Sequence, residues 1–367
     1  MAAYLCLYWN WNWNWTMRGS IPSKKKPAFP VGPGLLGYLK KYNRSVELPV
    51  RYEDLLRHDF SVPLLNERHQ DTLWETVQYA PSEQKDLYRD LTYIYSLIKA
   101  GGDVGILNHL TVARVDYCTF GNTKPFRVRI INRLNDNYDH FYVKRTDASR
   151  AYGLELEELL SPNTVTFLVH GDTLVEEHII GIPGDDFMRD HLAGPVFNQI
   201  RLAKEFVKFN ERCFVRLLGD MRSYNFVVAV TPDIEGSQFR LRAIDFDQQS
   251  YEGRKNFYLP QYFRENNPII FLGIEHMEPE TVKQYQLEER SLIAARARAE
   301  HGRLSELLAI MRTEQIADQE KVVSLRTELA AHHENSIFLG CRTMGEIVEA
   351  NINLVLHKEF KQSIVGA

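Results

Sequence analysis

Apolar residues in the middle of the chain recur at every second position, a spacing typical of strands with one buried face. Three segments carry β-branched and aromatic residues at this spacing, namely 111–120, 126–134 and 140–145. In the second, Phe126, Val128 and Ile130 alternate with arginines, and polar turn sequences separate the three segments. A helical pattern over 147–162 follows, and then two further strands over 165–182 around a His-Gly-Asp turn. The pattern predicts a small antiparallel sheet with one helix packed on it.

Helical spacing dominates on both sides of this region. Residues 82–102 predict an amphipathic helix, with Ser82 as its cap and Gly101 at its end. Its apolar face consists of Leu87, Leu91, Ile94 and Ile98. A long helix is predicted over 195–218, and helices return from residue 278 onward. The chain is therefore predicted to be α+β, with the sheet preceding a larger helical part.

A predicted hairpin interrupts the helical part. The sequence NFVVAV from residue 225 and the segment 239–249 are joined by the turn TPDIEGS. Asp220 precedes the first strand and Asp245 follows the second, so the hairpin would bring the two acids together with Asn225. Carboxylate and amide oxygens suit Mg²⁺ when phosphate and water supply its other ligands. A polar turn leading into an ordinary strand is the alternative interpretation.

These residues resemble two motifs of the protein-kinase-like superfamily. Gly219-Asp220, with Asn225 five positions after the acid, is similar to its catalytic loop, and Ile244-Asp245-Phe246-Asp247 is similar to its metal-binding motif. The glycine before Asp220 is closer to the aminoglycoside-phosphotransferase and choline-kinase-like branch. The resemblance covers roughly residues 111–260 and implies a two-lobed kinase-like fold, with a small antiparallel β lobe and a larger helical lobe.

The resemblance implies roles for the residues of the hairpin region. Asp220 would accept or orient the proton of an acceptor hydroxyl, and Asn225 and Asp245 would bind Mg²⁺. Arg222 would stabilise charge on the transferred phosphoryl group. A salt bridge across the loop is the alternative role for Arg222.

The resemblance also implies an ion pair that holds a lysine against the nucleotide phosphates. Lys144, at the end of the third strand, is the candidate lysine. Helical phase places Glu155 within the apolar arc of the following helix, Glu158 at its edge and Glu157 outside it. We therefore expect Lys144 to pair with Glu155, with a surface ion pair on a solvated helix as the alternative.

The remaining nucleotide contacts are expected near the segment LVEEHIIG (174–181), which is similar to a kinase hinge. Adenine would bind the backbone near Glu177 and Ile179. Three departures from the family pattern bear on activity: Leu218 stands where a histidine is expected, Gly121 is the lone glycine of the expected phosphate turn, and the helix carrying Glu155 is short.

Composition narrows the class of protein. A net charge of −4 argues against a nucleic-acid-binding protein. The four cysteines show no CxxC spacing, and no apolar run reaches the length of a membrane span, which favours a cytoplasmic protein without membrane association. The sequence YWNWNWNWTM (8–17) lacks the features of a signal peptide and is interpreted as low-complexity sequence.

Four regions are therefore predicted: a low-complexity and linker extension (1–34), a helical or mixed extension (35–105), a kinase-like small lobe (106–180) and a kinase-like helical lobe (181–367). The function implied by the resemblance is an ATP- and Mg²⁺-dependent phosphotransferase that acts on a hydroxyl of a small molecule or a protein. Its partners would be the nucleotide and that acceptor. The alternatives are a catalytically weak pseudokinase or binding module, and a kinase-like nucleotidyl transferase.

Overall fold

The computed structural model describes residues 26–66, 69, 71–120 and 123–365, and it has an α+β fold. Its α-helices are α1 (Pro33–Lys41), α2 (Tyr52–Leu55), α3 (Pro81–Ala100), α4 (Ala148–Leu160), α5 (Gly184–Asp190), α6 (Val196–Arg216), α7 (Asn267–His276), α8 (Pro279–Ala299), α9 (His301–Met311), α10 (Gln319–His333) and α11 (Met344–Val365). Its strands are β1 (Phe60–Leu65), β2 (Asp71–Gln78), β3 (Leu110–Cys118), β4 (Phe126–Asn132), β5 (Tyr138–Arg145), β6 (Phe167–His170), β7 (Thr173–Glu177), β8 (Ile182–Pro183), β9 (Phe226–Asp233) and β10 (Gly236–Ala243). Within the described ranges, every helix is too short or too polar to cross a bilayer.

The chain forms two compact units, and neither is continuous in sequence. Among the described residues, the sheet unit combines the chain from residue 26 to Ala148 with Val165–His178. The helical unit contains Ser149–Thr164 and the chain from Ile179 onward.

The sheet unit is built on a seven-stranded sheet in the order β1-β2-β3-β4-β5-β7-β6. Every neighbouring pair in this sheet is antiparallel. The predicted strands over 111–120, 126–134, 140–145 and 165–182 are confirmed as β3, β4, β5 and the pair β6 and β7. Strands β1 and β2 extend the sheet at one edge, in a region for which the sequence pattern indicated no strand.

One face of this sheet is apolar and is covered by helix α3. Phe126, Val128 and Ile130 of β4 are buried, while the arginines between them lie on the other face. The predicted apolar face of α3 packs into the same core. Gly101 ends α3 in the left-handed conformation with φ 59°, as predicted. The helix begins at Pro81 without a side-chain cap, so the prediction that Ser82 caps it was wrong.

Helix α4 matches the predicted helix over 147–162, but from Ser149 onward it groups with the helical unit, together with the segment that follows it as far as Thr164. The helix that packs on the sheet is α3, which precedes β3 in the chain. Ion pairs explain the grouping of α4, because its buried Glu155 and Glu157 pair with Arg303 and Arg216 of the helical unit.

The helical unit is organised around α6, which packs against α7, α8, α11 and β10. Its interior includes a compensated charge cluster, in which the buried Arg212 pairs with Glu205 at 2.6 Å and with Glu289 at 3.0 Å. Leu217 follows the last residue of the helix, and its φ of 54° turns the chain sharply into the next loop. A leucine in this left-handed conformation is unfavourable, so the surrounding packing must hold it there.

A small antiparallel sheet in the order β10-β9-β8 completes the helical unit. The predicted hairpin is confirmed, with β9 and β10 paired from Phe226↔Ala243 to Asp233↔Gly236. Strand β10 ends at Ala243, so Asp245 lies in the loop that follows it. Helix α8 begins at Pro279, next to residue 278, from which the sequence pattern predicts further helices.

Candidate functional site

The loop between α6 and β9 is tightly turned and held by backbone hydrogen bonds. Asp220 has a φ of 60°, in the left-handed region that aspartate tolerates better than most residues. Its N–H donates to the carbonyl of Phe257 at 3.1 Å, and the N–H of Gly219 donates to Gln248 at 3.2 Å. A Cβ on Gly219 would lie 2.7 Å from the Phe257 ring, so glycine is needed there. The polar residues ahead of β9 thus form a tight loop, and its backbone hydrogen bonds fix the position of Asp220.

Asp220 and Arg222 form an ion pair within this loop. The Arg222 Nε donates to Asp220 Oδ1 at 2.8 Å, and its Nη1 donates to Glu265 Oε1 at 2.6 Å. The Arg222 guanidinium also stacks over Phe263, 5.0 Å from the ring centroid. These contacts match the salt bridge that the sequence left open as the alternative role for Arg222.

Burial raises the pKa of Asp220 to about 6, although the hydrogen bond and the charge of Arg222 act in the opposite direction. The negative charges of Asp245 and Glu265 raise the pKa further. A carboxyl that titrates near pH 6 is suited to exchange a proton with a hydroxyl ligand near neutral pH.

Asn225 and Asp245 lie at the same end of the hairpin as Asp220. Asn225 is buried, and its Nδ2 donates to the backbone carbonyl of Asp220 at 2.8 Å. The N–H of Ile244 donates to the carbonyl of Asn225 at 3.0 Å, which continues the ladder one residue beyond the Phe226↔Ala243 pair. The loop that carries Asp245 therefore begins beside Asn225.

A buried arginine that the sequence pattern did not indicate binds the loop after β10. Arg150 of α4 is 1% exposed, its Nη2 donates to Asp245 Oδ1 at 2.6 Å, and its Nε donates to Asp247 Oδ1 at 2.7 Å. The N–H of Asp247 also donates to Asp245 Oδ1, at 3.1 Å. The side chain of Asp245 remains 35% exposed. Arg150 thus fixes the position of Asp245 while leaving part of its carboxylate accessible.

The arginine left only a weak signal in the sequence. It is the single cation of a helix, ASRAYGLELEELL, that carries three glutamates. No pattern along the helix indicates which acids outside it the arginine binds.

The structure gives Lys144 a different partner from the one expected. Lys144 is buried on β5, and its Nζ lies 2.6 Å from Oε2 of the buried Glu176 on β7. Glu155 is fully buried on α4 and pairs with Arg303 at 2.6 Å. The expected ion pair between Lys144 and Glu155 therefore does not match the observed contacts. Glu155 is buried as its helical phase predicted, whereas Glu157, which was placed outside the apolar arc, is 2% exposed and was predicted wrongly.

The residues expected to contact adenine and the phosphates are placed as follows. Glu177 is the last residue of β7. Its N–H donates to the Thr166 carbonyl at 2.9 Å, and its Oε1 accepts from the Thr166 N–H at 2.8 Å. Ile179 is buried at the start of the second segment of the helical unit. Gly121 lies outside the described residues. Leu218, in the position where the family pattern has histidine, is fully buried.

Metal binding by protein side chains alone finds no support in the described ranges, because no group of three or more histidine, cysteine, aspartate or glutamate residues is arranged to hold an ion. The loop ends of the hairpin still offer two carboxylates and one amide, a donor set that suits Mg²⁺ when a phosphate ligand supplies further oxygens.

No protein-family model matches the chain, and no curated protein matches its sequence.

Proposed function

We propose that the chain is a Mg²⁺-dependent phosphotransferase that uses ATP and belongs to the protein-kinase-like type. The observation that carries the proposal is the acidic cluster at one end of the β9–β10 hairpin. There, Asp220 has a pKa of about 6 beside Asn225 and near the charge of Asp245.

Asp220 is the proposed acceptor of the proton from the attacking hydroxyl. Its deprotonated form predominates at neutral pH, since the pKa of its carboxyl is about 6. Its hydrogen bond with Arg222 fixes one carboxylate oxygen. Arg222 keeps its positive charge close to the place where phosphoryl charge would develop.

Asn225 and Asp245 are the proposed metal ligands. The bound Mg²⁺ would neutralise charge on the nucleotide phosphates. Asp245 fits this role because 35% of its side chain is exposed, and Arg150 holds it in one orientation. The buried position of Asn225 fixes its amide beside the Asp220 loop.

Lys144 is the proposed ligand of the nucleotide phosphates, with Glu176 in place of Glu155 as the carboxylate that orients it. The 2.6 Å contact between Lys144 and Glu176 lies within the sheet unit and is buried. The contact with Glu176 fixes the direction of the Lys144 ammonium, as a phosphate ligand requires. The acceptor would be a hydroxyl of a small molecule or a protein.

The contacts of Arg150 favour a second candidate, a nucleotide-binding module with little turnover. An arginine that binds both Asp245 and Asp247 competes with a metal for the same carboxylates. In this case the chain would bind ATP but transfer phosphate slowly or not at all.

The test measures ATP binding and ATP turnover with and without Mg²⁺ for the wild type, Asp220→Asn and Asp245→Asn. Asp233→Asn is the matched control, because Asp233 lies on the same hairpin at its opposite end. For a phosphotransferase we expect Mg²⁺-dependent turnover that falls at least about a hundredfold in the two site variants and is unchanged in the control.

The other outcomes separate the alternatives. ATP binding without turnover in the wild type supports the binding module. Transfer of AMP to an acceptor identifies a nucleotidyl transferase. If the wild type binds no ATP, both the phosphotransferase and the binding module are excluded.

A further inference from the structure

Strand β10 presents a polar face to a cavity that the proposed phosphotransferase site does not use. Alternate residues of a strand lie on opposite faces. Leu241 and Ala243 are buried on one face, whereas Gln238, Arg240 and Arg242 lie on the other. These three residues line a cavity of about 660 Å³.

The cavity is formed entirely by the helical unit. Its other lining residues include the segment Pro162–Thr164 after α4, Glu205 of α6 and Thr231 of β9. Arg242 spans part of it, since its Nη2 donates to the Thr164 carbonyl at 2.8 Å. A volume of this size lies within the range of sites that bind small molecules, about 300–1,000 Å³.

The charge of the cavity lining is positive. Glu205 is its one acidic lining residue among the described residues, and its Oε1 accepts from Arg212 Nη2 at 2.6 Å and from the Leu241 N–H at 3.1 Å. The negative charge of Glu205 is therefore compensated within the protein. Arg240 is exposed and forms no ion pair within the described part of the chain. The guanidinium of Arg240 is thus available to an anion that enters the cavity.

Neutral hydrogen-bonding groups surround the arginines. Thr231 is directly opposite Gln238 in the hairpin register and is an exposed residue that lines the cavity. Asn163 is 4% exposed, and its Oδ1 has no hydrogen-bond partner among the described residues. The lining therefore combines donors for an anion with groups that can bind hydroxyls.

We propose that this cavity binds a small phosphate ester that carries hydroxyl groups, the chemical class of sugar phosphates. Arg240 and Arg242 are two residues apart on one strand face, which separates their Cα atoms by about 7 Å. Two planar guanidinium groups at this spacing can bind the oxygens of one phosphate from the same side. The polar lining beyond them would bind the hydroxyl groups of the ester. The proposal does not depend on phosphotransferase activity, because none of these residues has a proposed role in catalysis.

The experiment is isothermal titration calorimetry of the whole chain in a phosphate-free buffer. The probes are glucose 6-phosphate, inorganic phosphate and glucose. We expect glucose 6-phosphate to bind most tightly, inorganic phosphate more weakly and glucose not measurably.

Arg240→Gln tests the site with little risk to folding, because the Arg240 side chain is exposed. Loss of this charged donor should weaken glucose 6-phosphate binding about tenfold or more. Arg240→Lys keeps the charge but loses the planar fork, and it should give an intermediate affinity. Arg342→Gln is the control, since Arg342 is an exposed arginine ahead of α11 and should leave the affinity unchanged.

Three results would overturn the proposal: no binding of either phosphate by the wild type, equal affinities in the wild type and Arg240→Gln, or glucose binding as tightly as glucose 6-phosphate.

Discussion

Replacing Arg150 with methionine removes the guanidinium that binds both acids of the loop after β10. The arginine is 1% exposed, and its contacts to Asp245 and Asp247 are 2.6 and 2.7 Å long. Methionine fills most of the volume of the side chain, so the main loss is electrostatic. The substitution leaves Asp247, whose side chain is 12% exposed, without its arginine.

The expected loss of stability follows from the burial of the two acids. Removing one partner of a buried ion pair costs about 3–5 kcal/mol, because the other charge remains desolvated. Asp247 falls in this class. The side chain of Asp245 is 35% exposed, so its contribution is at most about 1 kcal/mol. We expect Arg150→Met to lower the free energy of unfolding of the helical unit by about 3–6 kcal/mol.

Urea unfolding followed by far-ultraviolet circular dichroism measures this loss, since most of the helices belong to the helical unit. With a denaturant slope of about 3 kcal/mol per M, the midpoint should fall by about 1–2 M. The double variant Arg150→Met/Asp247→Asn removes the buried charge together with its partner and should regain about 2 kcal/mol. Arg150→Lys keeps the charge and should lose less than Arg150→Met.

A loss of less than about 1 kcal/mol in Arg150→Met would contradict the assignment of a stabilising ion pair to Arg150 and Asp247. Equal instability of the double and the single variant would also contradict it, because the loss would then come from packing and not from the unpaired charge of Asp247.

Three further predictions concern single residues. The pKa of Asp220 is raised from its ordinary value of 3.8 to about 6, so its protonated form is favoured in the native state. The contribution of Asp220 to folding stability should therefore fall by up to about 3 kcal/mol between pH 4 and pH 6 and stay constant at higher pH. Any turnover should rise with pH near pH 6, as Asp220 loses its proton. Asp220→Asn should remove both pH dependences, measured as unfolding free energy and as turnover across this range. Lys144→Met should destabilise the sheet unit by about 3 kcal/mol, because it removes the ammonium that pairs with the buried Glu176. In urea titrations, Lys144→Met/Glu176→Gln should recover much of that loss. Equal losses in the single and the double variant would contradict the ion-pair explanation. Gly184→Ala should lower the free energy of unfolding by more than about 2 kcal/mol, because its Cβ would lie 2.4 Å from a backbone oxygen. Gly302→Ala has open space around its Cβ and should be neutral or slightly stabilising. Similar unfolding midpoints for the two variants would contradict the packing explanation.

Much of the fold follows from local patterns in the sequence. Strands β3, β4 and β5 alternate apolar and polar residues, and α3 has one apolar face and a terminal glycine. The edge of the sheet was not predictable in this way. Strand β1 contains Pro63, which argues against a strand, and its pairing with β2 is irregular between Pro63 and Leu65. In β2, Leu73 has a φ of 62°, which local propensity does not anticipate.

In the candidate site, too, local interactions could be predicted from the sequence, whereas long-range interactions could not. A hairpin with short connections places Asp220, Asn225 and Asp245 at one end, so the sequence suffices to group them. Ion-pair partners depend on packing between distant segments: Glu155 and its partner Arg303 are 148 residues apart. Periodicity indicates that such a glutamate is buried, but not which arginine meets it.

The division of the chain between the units has a consequence for its synthesis. The chain leaves the sheet unit after Ala148, returns to it at Val165 and leaves it again after His178. When α4 emerges from the ribosome, the arginines that pair with its two buried glutamates have not yet been synthesised, because they lie in α6 and α9. The helix therefore cannot reach its final surroundings until the segment that carries Arg303 has been made. In contrast, all seven described strands of the sheet have been synthesised once His178 has been added, so the sheet can form first. The α4 segment would then connect β5 and β6 before it reaches its final packing.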